Sequence, residues 1–246
     1  MKLLRASYKA FLREAKQLSH HDRGIRFFDP PSLNSIVKQY GRGGLTLPPS
    51  VPSLQASLFP GVDFSAYPGQ DTLTGQQLAA LVRASFRSAG GSGDGLQHLP
   101  TLNLLRTQGE TSSVALTEVG QAIRVRIECC TLFLPNLEVE AMAASSRYTF
   151  GYRLRMHNLG TAPVQVLGRH WHFVDSKGGL MEVPRGSPGV VGHSPRIEPG
   201  QVFQYMSGVS LATPTGSMEG SFQATAHDGQ TLFDCKVART ELRCPA

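Results

Sequence analysis

The chain has 246 residues, of which 40% are hydrophobic and 17% charged, and its formal net charge is +6. This is enough apolar material for one large or two modest domains with cores of their own, and no run approaches the roughly 18 apolar residues that a membrane-spanning helix needs. The positive charge is uneven: residues 1–110 hold 12 Lys and Arg against 7 Asp and Glu, whereas residues 111–246 hold 12 against 11, so an acidic partner, whether protein, RNA or an anionic surface, would meet the N-terminal part.

Residues 1–18 place Leu4, Tyr8, Phe11, Ala15 and Leu18 at three- and four-residue steps, with Lys2, Arg5, Lys9, Arg13 and Lys16 between them. The spacing predicts a basic amphipathic helix. A mitochondrial presequence has the same composition, but we expect this segment to be retained and folded. A second helical stripe runs through Leu78, Val82 and Phe86, and a third helix is predicted at Leu99–Arg106, after the flexible GGSGDG connection at residues 90–95. Between the first two helices, residues from about 24 to 73 are rich in Pro and Gly and weak in periodicity, which predicts an extended arm wrapped on a partner.

The opening helix resembles that of the LYR-motif (complex 1 LYR) family of small mitochondrial three-helix proteins. Ser7, Tyr8 and Lys9 stand where the family has Leu-Tyr-Arg, and FLREAK follows; LVRASFR at residues 81–87 is similar to the family's second-helix pattern, with Phe86 as the landmark aromatic and Tyr40 in SIVKQYGR as its rival. The resemblance implies that cations around the motif meet the acidic helix and the phosphopantetheine phosphate of mitochondrial acyl carrier protein, while the acyl chain of that 4'-phosphopantetheine group enters the three-helix core. Carried over, the binding residues are Tyr8, Lys9, Arg13 and Lys16 with Arg83, Phe86 and Arg87. Clustered cations give charge-assisted contacts to such a partner.

From Val114 onward the period changes to two. Ile123, Val125 and Ile127 alternate with Arg124, Arg126 and Glu128, and Tyr148, Phe150, Tyr152, Leu154 and Met156 alternate with Thr149, Gly151, Arg153 and Arg155. These patterns predict half-buried antiparallel strands with one apolar face each, which leaves Arg153, Arg155 and Arg169 on exposed faces, expected to be solvated, with contact to RNA or an acidic protein as the alternative. Turn signals at Asn158-Leu159-Gly160, Ser176–Gly179, Pro188-Gly189, Pro199-Gly200, Pro214–Gly216 and His227–Gln230 separate seven or eight short strands, as a β-sandwich requires. The four cysteines, Cys129, Cys130, Cys235 and Cys244, form no CxxC pair, which argues against a zinc site from cysteine spacing. They are expected to be free thiols, with at most one of the adjacent pair Cys129 and Cys130 in the core.

The runs RYTFGYRLRMHNLG, APVQVLGRHWHFVDSKGG, GVVGHSPRIEPGQVFQYMSG and TPTGSMEGSF resemble the ApaG domain family over residues from about 114 to the C-terminus. The resemblance implies an immunoglobulin- or fibronectin-III-like sandwich. Such domains stand alone in bacteria and are joined in eukaryotes to modules such as F-box proteins, where they mediate protein contacts; no catalytic mechanism attaches to the fold. The expected architecture is therefore α + β in separate domains, a LYR-like helical domain over residues 1–110 with its arm, and an ApaG-like sandwich over residues 111–246.

Two clusters invite chemistry. The family's GxGxxG loop falls on Ser187–Gly192, with Ser187 replacing the first Gly and with Gly189 and Gly192 retained. Pro195 and Pro199 forbid the helix that a dinucleotide fingerprint needs after its glycines, so a structural turn is expected and a phosphate loop at Ser187, Gly189 and Gly192 is the alternative. His170 and His172 share one face of a strand and Trp171 the other. That pair would suit a metal if His193 or Asp175 approached, but nothing in the sequence brings either close, so no metal ligand, no intrinsic cofactor and no catalytic residue is assigned. The expected function is a non-enzymatic accessory or assembly subunit of a large mitochondrial complex, of the respiratory chain or the mitoribosome, on the matrix side. An RNA-contacting mitoribosomal protein, or a nucleotide-binding protein acting through the Gly189 loop, are the alternatives.

Overall fold

A computed structural model of the protein describes residues 2–19, 45–47, 75–88, 109–134, 148–190, 193–226, 229 and 231–244. The chain forms two compact units, and the last change from one to the other falls between Glu110 and Thr111.

The first unit holds helices α1 (Lys2–Ser19) and α2 (Gly75–Ser88). Helix α1 buries Ser7, Phe11, Glu14 and Ala15, and α2 buries Leu78, Leu81, Val82 and Ser85, a single stripe on each helix. The two pack together, with the Phe86 ring 5.3 Å from that of Tyr8 and 5.7 Å from that of Phe11. The third helix expected at residues 99–106 lies outside the described residues, as does the rival Tyr40.

The second unit is an antiparallel sandwich. Its strands are β1 (Leu45–Leu47), β2 (Ser112–Val119), β3 (Ile123–Phe133), β4 (Tyr148–Asn158), β5 (Val164–Asp175), β6 (Leu180–Pro188), β7 (Arg196–Ile197), β8 (Val202–Leu211), β9 (Thr215–Ala226) and β10 (Leu232–Arg243). One sheet has the order β1-β8-β4-β3-β2, the other β10-β9-β5-β6 with β7 paired to β5. Within the expected arm, residues 45–47 form β1 and pair with the edge of β8, where unpaired backbone groups offer a ladder.

The central strands of the two sheets send their apolar faces into one core. Phe150, Tyr152, Leu154 and Met156 of β4 and Phe203 and Tyr205 of β8 face Trp171 and Phe173 of β5 and Met218 and Phe222 of β9. The aromatic rings meet edge to face: Trp171 lies 4.9 Å from Phe222, which lies 6.1 Å from Tyr205 across the sheets. Burial pushes the Tyr152 hydroxyl up to about 12 and holds Tyr205 well above its ordinary value, so both stay neutral in the core. One side of the sandwich is sealed by hydroxyls reaching between sheets. Ser113 Oγ donates to Ala238 O at 3.0 Å, Thr131 Oγ1 donates to Glu241 O at 2.7 Å, and the Lys236 amide donates to Thr117 Oγ1 at 3.1 Å. Asn158 ties the β4–β5 corner to β7, its Nδ2 donating to Ala162 O at 2.8 Å and to Ile197 O at 2.9 Å.

The expectation of one wet face per strand fails at the centre of the first sheet. Arg153 and Arg155 are each 4% exposed, Glu128 is 1% exposed, and both Cys129 and Cys130 are buried. Strand β4 lies between β3 and β8, and both of its faces are covered. Alternation reveals which side chains share a face but carries no information on whether that face meets water. The buried charges are gathered by register: Glu128 stands opposite Arg155, Cys130 opposite Arg153, and Arg126 Nε lies 2.9 Å from Glu128 Oε1.

All four cysteines are free. Burial is the first cause of the rise of the Cys129, Cys130 and Cys235 thiols to about 12, and the thiolate is the reactive form. Iodoacetamide at pH 8 should therefore modify the native protein at Cys244 alone, and mass spectrometry should find all four sites modified after denaturation. Gly220 lies opposite Trp171, where an added Cβ would sit 1.9 Å from the His170 carbonyl oxygen and 2.7 Å from Trp171 Cε3. Gly220→Ala should destabilise the sandwich by about 3 kcal/mol in urea unfolding.

Candidate functional site

The outer face of β5 carries the most chemically capable cluster. Trp171 and Phe173 are drawn into the core, and the two-residue period of the strand turns His170 and His172 outward. Asp175 closes the turn that follows: its Oδ1 accepts the Lys177 and Gly179 amides, each at 2.8 Å, and its own amide donates to Gly179 O at 2.9 Å. That turn fixes the register of β6, placing Leu180 opposite Val174 and Glu182 opposite His172. The Glu182 Oε1 atom lies 2.9 Å from His170 Nε2 and 3.5 Å from His172 Nε2, and the two imidazole rings are 4.4 Å apart at 75°. A carboxylate oxygen only accepts, so His170 Nε2–H is the donor. This hydrogen bond is the first reason the exposed Glu182 carboxyl titrates below its ordinary value, with the charges of the two rings adding to it. On the other flank of β5, Glu219 of β9 stands directly opposite His172.

Neither third ligand suggested by the sequence joins the pair. Asp175 is engaged in its turn, and His193 makes a backbone bridge with Val190. Glu182 is the residue that sequence reasoning missed. Its signal was the Ser176–Gly179 turn: a hairpin closed there makes residues equidistant from Lys177 partners, and His172 and Glu182 are each five residues away.

Ser187, Gly189 and Val190 are the described residues of the glycine-rich loop that bear on a phosphate site. Ser187 lies in β6, and its hydroxyl donates to Pro184 O at 2.7 Å. Gly189 is buried with φ +58°, and an added Cβ would fall 2.3 Å from the His193 carbonyl oxygen. Among the described residues of the loop, three amides are engaged: Gly189 N donates to Leu167 O at 2.9 Å, Val190 N to His193 O at 2.6 Å, and His193 N to Val190 O at 3.0 Å. Gly192 lies outside the described residues. Arg169, expected on a solvated face, is half-buried and turns its guanidinium to this loop, with Nη1 donating to Gly189 O at 2.7 Å. The loop thus offers carbonyl oxygens to a cation of the protein itself.

In the helical unit, Tyr8 and Phe86 come together, while Lys9, Arg13 and Lys16 of α1 and Arg83 and Arg87 of α2 are exposed. Arg87 Nε donates to Arg83 O at 3.2 Å, one turn back along α2. No helix among the described residues is long and apolar enough to cross a membrane.

Comparison with known proteins places the second unit. The ApaG domain model matches residues 139–226. The protein ApaG of Nitrosospira multiformis is 39% identical over 126 residues, spanning 51% of this chain and 94% of the relative, and that of Thiobacillus denitrificans is 36% identical over the same coverage. Among solved structures, the putative ApaA protein from Bordetella pertussis aligns with a TM-score of 0.46 and 30% identity, over 51% of this chain and 97% of that one. The names of these relatives state no enzymatic activity. The relatives are bacterial, which overturns the expected location in the mitochondrial matrix. The basic amphipathic α1 that suggested a mitochondrial setting is a helix with its apolar stripe packed on α2. With the relatives matched over nearly their whole length at 36–39% identity, the chain belongs to the ApaG family.

Proposed function

We propose that the protein is a non-catalytic interaction protein, in which the ApaG sandwich makes protein–protein contacts and the helix pair binds an acidic partner of the acyl carrier protein type. The observation that carries this reading is the charge on the helices. Arg5, Lys9, Arg13 and Lys16 follow one another at steps of four, four and three along the exposed side of α1, and Arg83 and Arg87 are one turn apart on α2. The only acid on either helix is Glu14, and it is buried, 9% exposed. A ridge of one sign attracts a partner of the other and raises the rate of encounter.

Two features favour a carrier protein as the occupant. Its helices are acidic and its phosphopantetheine is attached to it through a phosphate, both suited to clustered guanidinium and ammonium groups. The packing of Tyr8 on Phe86 also joins the two aromatic positions that the LYR resemblance singles out. RNA is the second reading, because the same ridge suits a phosphate backbone; it predicts a steep linear fall of log affinity with log salt.

Calorimetric titration of the full chain with a bacterial holo acyl carrier protein separates the readings. The expected result is saturable binding that Lys9→Glu with Arg13→Glu weakens about tenfold, as about 0.7 kcal/mol per reversed surface charge implies. Absence of heat with the carrier protein, together with tight binding of a single-stranded RNA oligonucleotide, would overturn the carrier reading in favour of the second.

A further inference from the structure

We infer that His170, His172 and Glu182 form a binding site for a divalent late transition-metal ion, with Zn2+ as its natural probe. One ring nitrogen of each histidine and a carboxylate oxygen of Glu182 all lie within 4.8 Å of one another. Zinc bonds of roughly 2.0–2.2 Å to nitrogen and oxygen place neighbouring ligand atoms of a tetrahedral site about 3.4 Å apart. The Glu182 Oε1 atom already stands 2.9 Å from one ring nitrogen and 3.5 Å from the other. Small side-chain rotations therefore admit the ion between these atoms, with no change of backbone.

The backbone holds the three groups in place. His170 and His172 are two residues apart on β5, which puts them on one face, and Glu182 is fixed opposite His172 by the closed Asp175 turn. The buried Trp171 between the histidines locks that face outward. The donor set, two imidazoles and one carboxylate, is one that suits zinc and its neighbours in the first transition row and not calcium or magnesium, which take oxygen ligands. Glu219, opposite His172 on the far flank, adds a second negative charge to the same face and favours a dication there. Three protein ligands leave coordination positions open toward solvent, the arrangement of an exchangeable site and not of a closed structural one. Because Glu182 lies on the edge strand β6, the ion would also fasten that strand to β5.

The site is independent of the helical ridge, so its test does not depend on the carrier-protein reading. The full chain, stripped with a chelator, is titrated with Zn2+ by calorimetry, and with Co2+ by visible absorption, whose band positions and intensity report low-coordinate nitrogen and oxygen ligation. The expected result is one ion per chain with micromolar affinity and a rise in Tm on loading. His170→Ala, His172→Ala and Glu182→Gln should each weaken binding by at least about tenfold, while His193→Ala leaves it unchanged. The three ligand side chains lie on the surface, so the variants retain the fold, and their metal-free Tm checks this. Absence of binding to the wild-type chain overturns the inference, as does undiminished binding to a His170→Ala/His172→Ala variant or sensitivity to His193→Ala.

Discussion

The two sheets meet through a circuit of aromatic rings that passes from Trp171 to Phe222, crosses to Tyr205, runs on to Tyr152 and crosses back to Phe173. Ring pairs of this kind contribute roughly 0.5–1.5 kcal/mol each beyond the area they bury. Their larger effect is directional. Trp171 and Phe173 can enter the core only if the residues that alternate with them leave it, so the core decides the facing of His170 and His172. Gly220 is part of the same constraint, because the indole lies where a side chain on β9 would stand. The surface cluster is in this sense a consequence of the interior.

Register supplies the remaining geometry. Asp175 folds the chain back with two side-chain hydrogen bonds to the turn amides, and Glu182 then arrives beside His172. A shift of one residue would send Glu182 to the other face of the sheet. At the glycine-rich loop, Gly189 and Val190 direct their amides into backbone pairing, and Pro188 and Gly189 turn their carbonyl oxygens toward Arg169. One sheet thus holds the His170–His172–Glu182 cluster and a turn at Gly189 whose described amides are paired with backbone carbonyls.

The helical unit works by a different physical rule. Its apolar stripes face each other, and the cations follow by exclusion, since burying them unpaired would carry a desolvation penalty of several kcal/mol. What results is a surface of one sign, suited to recognition by charge. The first sheet treats charge in the contrary way, holding Arg153, Arg155 and Glu128 in a covered layer where register sets opposite charges side by side.

The sequence by itself determined the strands from Ile123 onward, the turns between them, the inward Trp171 flanked by outward histidines and the two helical stripes, because each depends on a period or on turn chemistry within a few residues. It also sufficed to place the second unit among ApaG domains, through runs such as GVVGHSPRIEPGQVFQYMSG. Only the tertiary structure decided which strand faces stay dry, that Cys130 joins Cys129 in being buried, that residues 45–47 extend β8, and that Glu182 completes a cluster with His170 and His172. Those outcomes depend on contacts between strands, and the cover over a face or the partner across a ladder is set by segments distant in the chain. For Glu182 the distance is ten residues and a turn; for Arg153 and Arg155 the cross-strand partners come from β3 and β8.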